Sequence, residues 1–449
     1  MPEFTPDPAR GAAIYAADRA HVFHSWSAQK ALNPIVVAAA QGCYVWDFDG
    51  NRYLDFSSQL VNTNIGHQHP RVVRDIAEQA AKLTTIAPQY ANEARGQAAE
   101  RLTALAPGGF GKVFFTNGGA DANENAIRMA RLHTGRDKVL SFYRSYHGNT
   151  GAAITSTGDP RRWPNEYATG HVHFFGPYLY RTSFWASSEA QECERALEHL
   201  EQVIQFEGPS TVAAILIETV VGTAGVLVPP PGYLAGVRAL CDKYEIVWIA
   251  DEVMCGFGRT GAWFAFEQHG AVPDLITFAK GANSGYVPVG GVIISDPIAA
   301  DFDDRVFPGG LTYSGHPLAC ASVVATIDAM KDEGIVENAA RIGTLVLEPG
   351  LRDLADRHPV IGEVRGLGVF WALDLVSDRA SRKPLAPYGG SSEAMTALAA
   401  GARRRRLLTF TNFNRLHVVP PCVITDAEGK EGLAILDEVL TEVDAYYQG

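Results

Sequence analysis

The sequence predicts an α/β protein with a large domain built on a mostly parallel sheet flanked by helices. A smaller α+β domain is drawn from both chain ends. Three observations carry this prediction. Runs such as VAAILIE, IVWIAD and PDLITF have the unbroken hydrophobicity of strands buried on both faces. Helical runs alternate with such strands through the middle of the chain. Glu218, Asp251 and Lys280 each stand at the carboxyl end of an apolar run, where parallel sheets open onto a ligand crevice. The expected division is 1–65 as the N-terminal part of the small domain, 66–325 as the large domain, and 326–449 as the remainder of the small one.

Composition bounds the function. With 47% apolar residues over 449 positions there is ample core, and a net charge of -12 argues against nucleic acid or an anionic membrane as partner. Six cysteines without a CxxC pair point to reduced thiols in a cytoplasmic protein. The opening MPEFTPDPAR has neither the basic nor the apolar segment of a secretory signal. No apolar run approaches the roughly 20 residues that span a bilayer.

The elements follow in order. VWDF, Asp49-Gly50 and NRYLDF make a hairpin signal. Pro70 opens a helix, and His67 and His69 before it lack the third ligand a metal site needs. A helix over Glu93–Ala106 ends at Pro107-Gly108-Gly109. KVFFT then reads as a strand, leading through Asn117-Gly118-Gly119-Ala120 into the helical DANENAIRMARLH. A strand, a glycine turn and a helix start are the physical means of holding a phosphate, because unpaired amides point outward there. A strand near Lys138–Phe142 precedes Tyr146-His147-Gly148, whose aromatic can lie against a flat ring. The aperiodic, aromatic-rich stretch Thr157–Trp185 reads as a long functional loop containing Trp163, with His171 and His173 on one strand face. A helix around Glu189–Phe206 precedes VAAILIE, and PPPGYLAGVRALCDKY forms a further helix. Past Gly291 a glycine-rich loop containing Thr312 leads into a long helix. Helices then flank the strand GLGVFWALDL; Arg403–Arg406 reads as a solvated helix end, and the last strand stops at Pro420-Pro421.

An acid and an amine facing one crevice suit pyridoxal phosphate, which needs a lysine for its Schiff base and an anion against its ring nitrogen. Taken singly, Lys280 is an ordinary strand-end lysine and Asp251 an ordinary helix cap; the surrounding motifs give them chemistry.

Those motifs are NTNIGHQHP, FFTNGGADANENAIRMAR, SYHGNTGA, IADEVMCGFGRTG, ITFAKGANSGYVPVGG and GLTYSGHPLACA. In that order and spacing the chain resembles the class III aminotransferases, the ω-transaminase branch of the fold-type-I pyridoxal-phosphate enzymes. It is closest in look to the taurine–pyruvate aminotransferase subgroup. The resemblance implies that Lys280 is the Schiff-base lysine and proton shuttle, and that Asp251 pairs with the ring nitrogen. It implies that Tyr146 stacks on one ring face and Val253 closes the other. Gly119 and Ala120 would hold the phosphate, Thr312 would reach the phosphate of a partner subunit, and Glu218 would sit near the ring's polar edge. It further implies a homodimer or dimer of dimers, and transfer of an amino group from a primary amine or ω-amino acid to pyruvate or a similar keto acid.

Two positions depart from the family pattern. Many members carry a hydroxyl residue where Ala120 stands. Several carry a carboxylate-binding arginine where His417 stands, leaving Arg415 as the nearest candidate for a mobile, carboxylate-holding arginine. Substrate choice is expected from Arg415, from Leu60 and Tyr90, and from the loop with Trp163. The alternatives are an aminomutase or decarboxylating transaminase of the same superfamily, or a non-catalytic cofactor-binding protein.

Overall fold

The computed structural model describes residues 4–166 and 168–449; Met1–Glu3 and Tyr167, the latter inside the expected aromatic loop, lie outside the described residues. The first strands are β1 (Val37–Gln41), β2 (Tyr44–Asp47) and β3 (Arg52–Asp55), the last two forming the hairpin around Asp49-Gly50. Asp47 holds its turn by accepting from the Asp49 and Asn51 amides at 3.0 and 2.8 Å.

Seven strands make the central sheet: β4 (Lys112–Thr116), β5 (Lys138–Phe142), β6 (His171–Phe174), β7 (Val212–Glu218), β8 (Val247–Asp251), β9 (Leu275–Phe278) and β10 (Gly290–Ile294). Their spatial order is β4-β10-β9-β8-β7-β5-β6. β10 runs antiparallel to both neighbours, and the pairings from β9 through β6 are parallel. Every residue of β7 and β8 is buried, which explains their unbroken apolarity. Ala214, Leu216, Val247 and Ile249 face the helix Gly119–Thr134. Ile215, Ile217, Trp248 and Ala250 face the larger core on the other side. Glycine is required in β10, because a Cβ at Gly290 would lie 2.5 Å from the Gly118 oxygen.

A third sheet comprises β11 (Ile361–Leu367), β12 (Phe370–Asp378), the short β13 (Lys383–Pro384), β15 (Phe410–Asn412) and β16 (Arg415–Val418). The two-residue β14 (Leu407–Leu408) instead leaves to pair in parallel with β3. The sequence reads one strand at GLGVFWALDL and one before Pro420. The structure shows two hairpins, because Gly368 and Phe413 take positive φ and reverse the chain. The stretch Thr157–Trp185 is likewise not all loop: β6 crosses it as the edge of the central sheet. In the Arg403–Arg406 run, Arg404 and Arg405 pair with Glu442 and Glu438 on the helix Asp426–Val443.

Candidate active site

The register of the central sheet brings the strand-end acids together. Glu218 is opposite Asp251, and Asp251 is opposite Thr277, three residues before Lys280. Asp251 is buried and engaged through both oxygens: Oδ1 accepts from the Val253 amide at 3.0 Å, while Oδ2 faces His147 Nδ1 at 2.7 Å and accepts from Asn123 Nδ2 at 2.8 Å. A carboxylate can only accept, so His147 carries its hydrogen on Nδ1. Glu218 accepts from the Tyr146 and Gly222 amides at 2.9 and 2.8 Å, fixing the backbone on two sides of the crevice. Burial pushes its carboxyl up to about 7; nearby Asp251 adds to the rise and His147 opposes it.

Lys280 follows β9 with φ of 36°, a left-handed backbone that costs a non-glycine residue free energy and is found where neighbours over-determine it. Those neighbours are the Gly281 backbone under Asn64 and the Ser284 turn, whose hydroxyl accepts from the Ile65 amide at 2.9 Å. Lys280 opens into a cavity of about 570 Å³, walled also by Trp26, Leu60, Tyr146, Arg161, Thr223 and Phe410. Desolvation lowers its amine to about 8, with Arg161 adding to the drop and Glu218 and Asp251 resisting it. The neutral, nucleophilic fraction is therefore substantial near neutrality. The rate at which the cofactor-free protein reacts with a carbonyl reagent at Lys280 is expected to rise with pH and level off above about 8. A profile still climbing towards an ordinary lysine value would contradict this environment.

The helix Gly119–Thr134 begins without a side-chain cap, leaving its first amides free, as an anion requires. Val253 lies directly over this point: a Cβ at Gly119 would be 2.7 Å from Val253 Cγ1. Ala120 packs against Gly148, where a Cβ would fall 2.5 Å from Ala120 Cβ, so these two positions are small together. Tyr146 is covered on one face by the Arg161 guanidinium, 3.6 Å from the ring centroid, which leaves the other face for a flat ligand. Arg161 is itself held by Asp159 through Nε at 2.9 Å.

The remaining sequence candidates spread out. Leu60 is on the cavity wall, presented by a turn in which Ser58, Gln59 and Val61 all have positive φ. Asp55 braces that turn, accepting from the Ser57 and Gln59 amides and from Gln59 Nε2 while facing His67 at 2.9 Å. Thr312 is exposed, in the loop before the helix Pro317–Asp332. Trp163 is 62% exposed and packs towards Gly389 rather than forming the cavity wall. Tyr90 is also exposed and off the wall. Arg415 is not a surface loop residue but sits in β16, 5% exposed and opposite Asp374. It does not reach the Lys280 cavity: its Nε stands 4.0 Å from Asp374 Oδ2, and its guanidinium makes no hydrogen bond among the described residues. His173 hangs the loop that carries Arg161 by facing the Ser156 and Thr157 carbonyls at 3.2 and 3.1 Å. His171 Nδ1 faces Ser156 Oγ at 2.7 Å.

Sequence reasoning assigned no role to Asn123, Thr277, Asp159, Arg161 or Trp26. For Asn123 a signal existed: it interrupts, between Ala122 and Ala126, the apolar face of a helix that packs on the sheet. Thr277 meets Asn123 across 154 residues, and Arg161 meets Tyr146 only once the chain between them has folded back.

A half-buried, desolvated lysine, a buried acid held by three donors, an aromatic plate and an uncapped helix start converge on one crevice at the carboxyl ends of β7, β8 and β9. These are the working parts of a fold-type-I pyridoxal-phosphate enzyme. A family model described as aminotransferase class-III matches residues 26–440, and the chain belongs to the class-III aminotransferases. It is 32% identical to the taurine–pyruvate aminotransferase of Bilophila wadsworthia, across 96% of this chain and 98% of that one. It is 34% identical to the 4-aminobutyrate aminotransferase of Escherichia coli, across 92% and 94%. A solved structure, the taurine:2-oxoglutarate aminotransferase of Bifidobacterium kashiwanohense in complex with pyridoxal phosphate and glutamate, shares 42% identity and a TM-score of 0.95 with full coverage of both chains. The protein is accordingly a pyridoxal-phosphate-dependent transaminase. The residues present fit that cofactor, since the space over Gly119 that a Cβ would fill lies beside free helix amides and under Val253.

Proposed function

We propose that this chain transfers the amino group of an ω-amino acid, a taurine-like aminosulfonate or a plain amine to pyruvate or a similar keto acid. The observation that carries the acid-accepting half is Arg415. Burial lowers its pKa, its buried Nε makes no hydrogen bond, and as the first residue of β16 it closely follows Phe410–Phe413, which line the cavity. Asp374 stands 4.0 Å from Nε without a hydrogen bond, so the guanidinium keeps donors for a carboxylate, which it can hold through two parallel hydrogen bonds. Arg161, whose guanidinium is on the cavity wall itself, gives the donor's acidic end a second cation. A second acceptor, 2-oxoglutarate, is favoured by the 42% identical relative, whose structure holds glutamate.

In this reading Lys280 Nζ would hold the cofactor covalently until the donor amine displaces it, and the freed amine would then move the proton of the donor's amine-bearing carbon. Bound pyridoxal phosphate supplies the electron sink that makes this proton removable. Asp251 would pair with the ring nitrogen, Tyr146 and Val253 would confine the ring, the Gly119 and Ala120 amides would hold the phosphate, and Glu218 fixes the Tyr146 and Gly222 backbone beside them. Exposed Thr312 serves the phosphate site of a second subunit, making the working form a homodimer or a dimer of dimers. The same reading divides the chain at 65 and 325 and places the enzyme in the cytoplasm; among the described residues no helix is long and apolar enough to cross a membrane.

A donor panel of taurine, β-alanine, 4-aminobutyrate, a diamine and 1-phenylethylamine, run against pyruvate and 2-oxoglutarate, tests the function. Arg415→Ala is expected to lower kcat/KM for the keto acid about 10- to 100-fold, the worth of hydrogen bonds to a charged group, while a simple aldehyde acceptor loses far less. Equal losses for both acceptors would contradict the carboxylate role.

A further inference from the structure

Asn123 is 1% exposed and uses every polar atom of its side chain. Nδ2 donates to Asp251 Oδ2 and to the His147 carbonyl, both at 2.8 Å, and Oδ1 accepts from Thr277 Oγ1 at 2.8 Å. The amide cannot be the other way round, because neither a carboxylate nor a carbonyl can donate to an amide oxygen. One side chain thus ties the phosphate-binding helix to the acid at the end of β8, to the loop bearing Tyr146 and to the strand that leads into Lys280.

The consequence lies in how the two oxygens of Asp251 are used. A carboxylate oxygen has about two acceptor positions. Oδ2 has both filled, by Asn123 and His147, whereas Oδ1 receives only the Val253 amide among the described residues. We propose that Asn123 is a positioning residue that, by saturating Oδ2, fixes the charge and aim of Asp251 and leaves Oδ1 as the single open acceptor for the cofactor's ring nitrogen. The proposal rests on Asp251 being the partner of that nitrogen. Thr277 extends the device, since its hydroxyl locks the Asn123 amide in the donating orientation.

The test is the affinity of the cofactor-free protein for pyridoxal phosphate, measured by equilibrium dialysis between pH 5 and 9, with thermal unfolding of each variant alongside. Asn123→Leu keeps the branching and the number of heavy atoms and removes the donor. Its affinity is expected to fall about 10- to 100-fold, and the pH below which affinity is lost moves upward, because a carboxylate with fewer donors protonates more easily. Asn123→Asp sets a second acid against Asp251 and is expected to move that pH further up. The other ionisable groups facing Asp251 are His147, Glu218, Lys280 and Cys255; all are retained in these variants, so the difference reads Asn123. Asp251→Asn serves as the reference. If it leaves the affinity profile unchanged, the reading of Asp251 falls. If it changes the profile and Asn123→Leu does not, only the role of Asn123 falls. Lower thermal stability in Asn123→Leu with an unmoved pH profile also overturns the proposal. Should Asn123→Leu not fold, Thr277→Val decides: a smaller shift in the same direction supports the device, and none overturns it.

Discussion

Replacing Lys280 with alanine is expected to cut turnover by at least about a thousandfold, within the range that a positioned acid–base group contributes, while the protein stays folded. The reason is the concentration of tasks on one atom. Nζ is the only amine on the cavity wall among the described residues, and burial has already brought it near neutrality by lowering it to about 8. No neighbour can take over: Arg161 on the same wall cannot exchange a proton near neutral pH. Lys280→Arg is therefore expected to be as inactive as Lys280→Ala. Steady-state turnover with the best donor and thermal unfolding of the same samples check this together. Residual activity above a few per cent in a folded Lys280→Ala protein would remove Lys280 from the chemistry.

Asp251→Asn is expected to lower kcat about 100-fold or more, comparable to losing one pre-aligned electrostatic partner in an active site. Its size is unchanged; its hydrogen bonding is not. Every donor aimed at Asp251, from Val253, His147 and Asn123, meets an acceptor in the wild type. Wherever the new NH2 group points, it faces one of them. The anion that pairs with the ring nitrogen is also gone. A kcat within about threefold of wild type would show that the acid only caps the Val253 turn.

Much of this site was legible because strand ends are legible. Glu218, Asp251 and Lys280 each close an apolar run, and a parallel sheet puts such ends side by side whatever the loops do. The strand, glycine turn and helix at Gly118–Gly119 is equally local. What escaped was long-range. Asn123 meets Thr277 and Asp251 across well over a hundred residues, and nothing near Asn123 names those partners. Arg161 reaches Tyr146 because the segment between them folds back on Ser145 and is suspended by His173, on an edge strand inside what reads as a loop. Arg415 looks like a loop arginine next to Pro420-Pro421; its burial depends on the turn at Phe413, which folds two short strands where the sequence suggests one.

The pairing of Leu54 with Leu407 sets a timetable for folding during synthesis. The β1–β3 sheet emerges first from the ribosome, yet the edge of β3 stays open until nearly the whole chain has been made. Phe56 and Leu54 also wait for Leu436, Val439 and Leu440 to complete their core. The central sheet needs nothing beyond β10 for its strands and can close earlier. A nascent chain stalled before Leu407 therefore presents an unpaired strand edge and an uncovered apolar face, the combination that invites aggregation or chaperone capture. C-terminal truncations that remove only the helix Asp426–Val443 are costly because they uncover the same core, although they remove no residue that lines the Lys280 cavity.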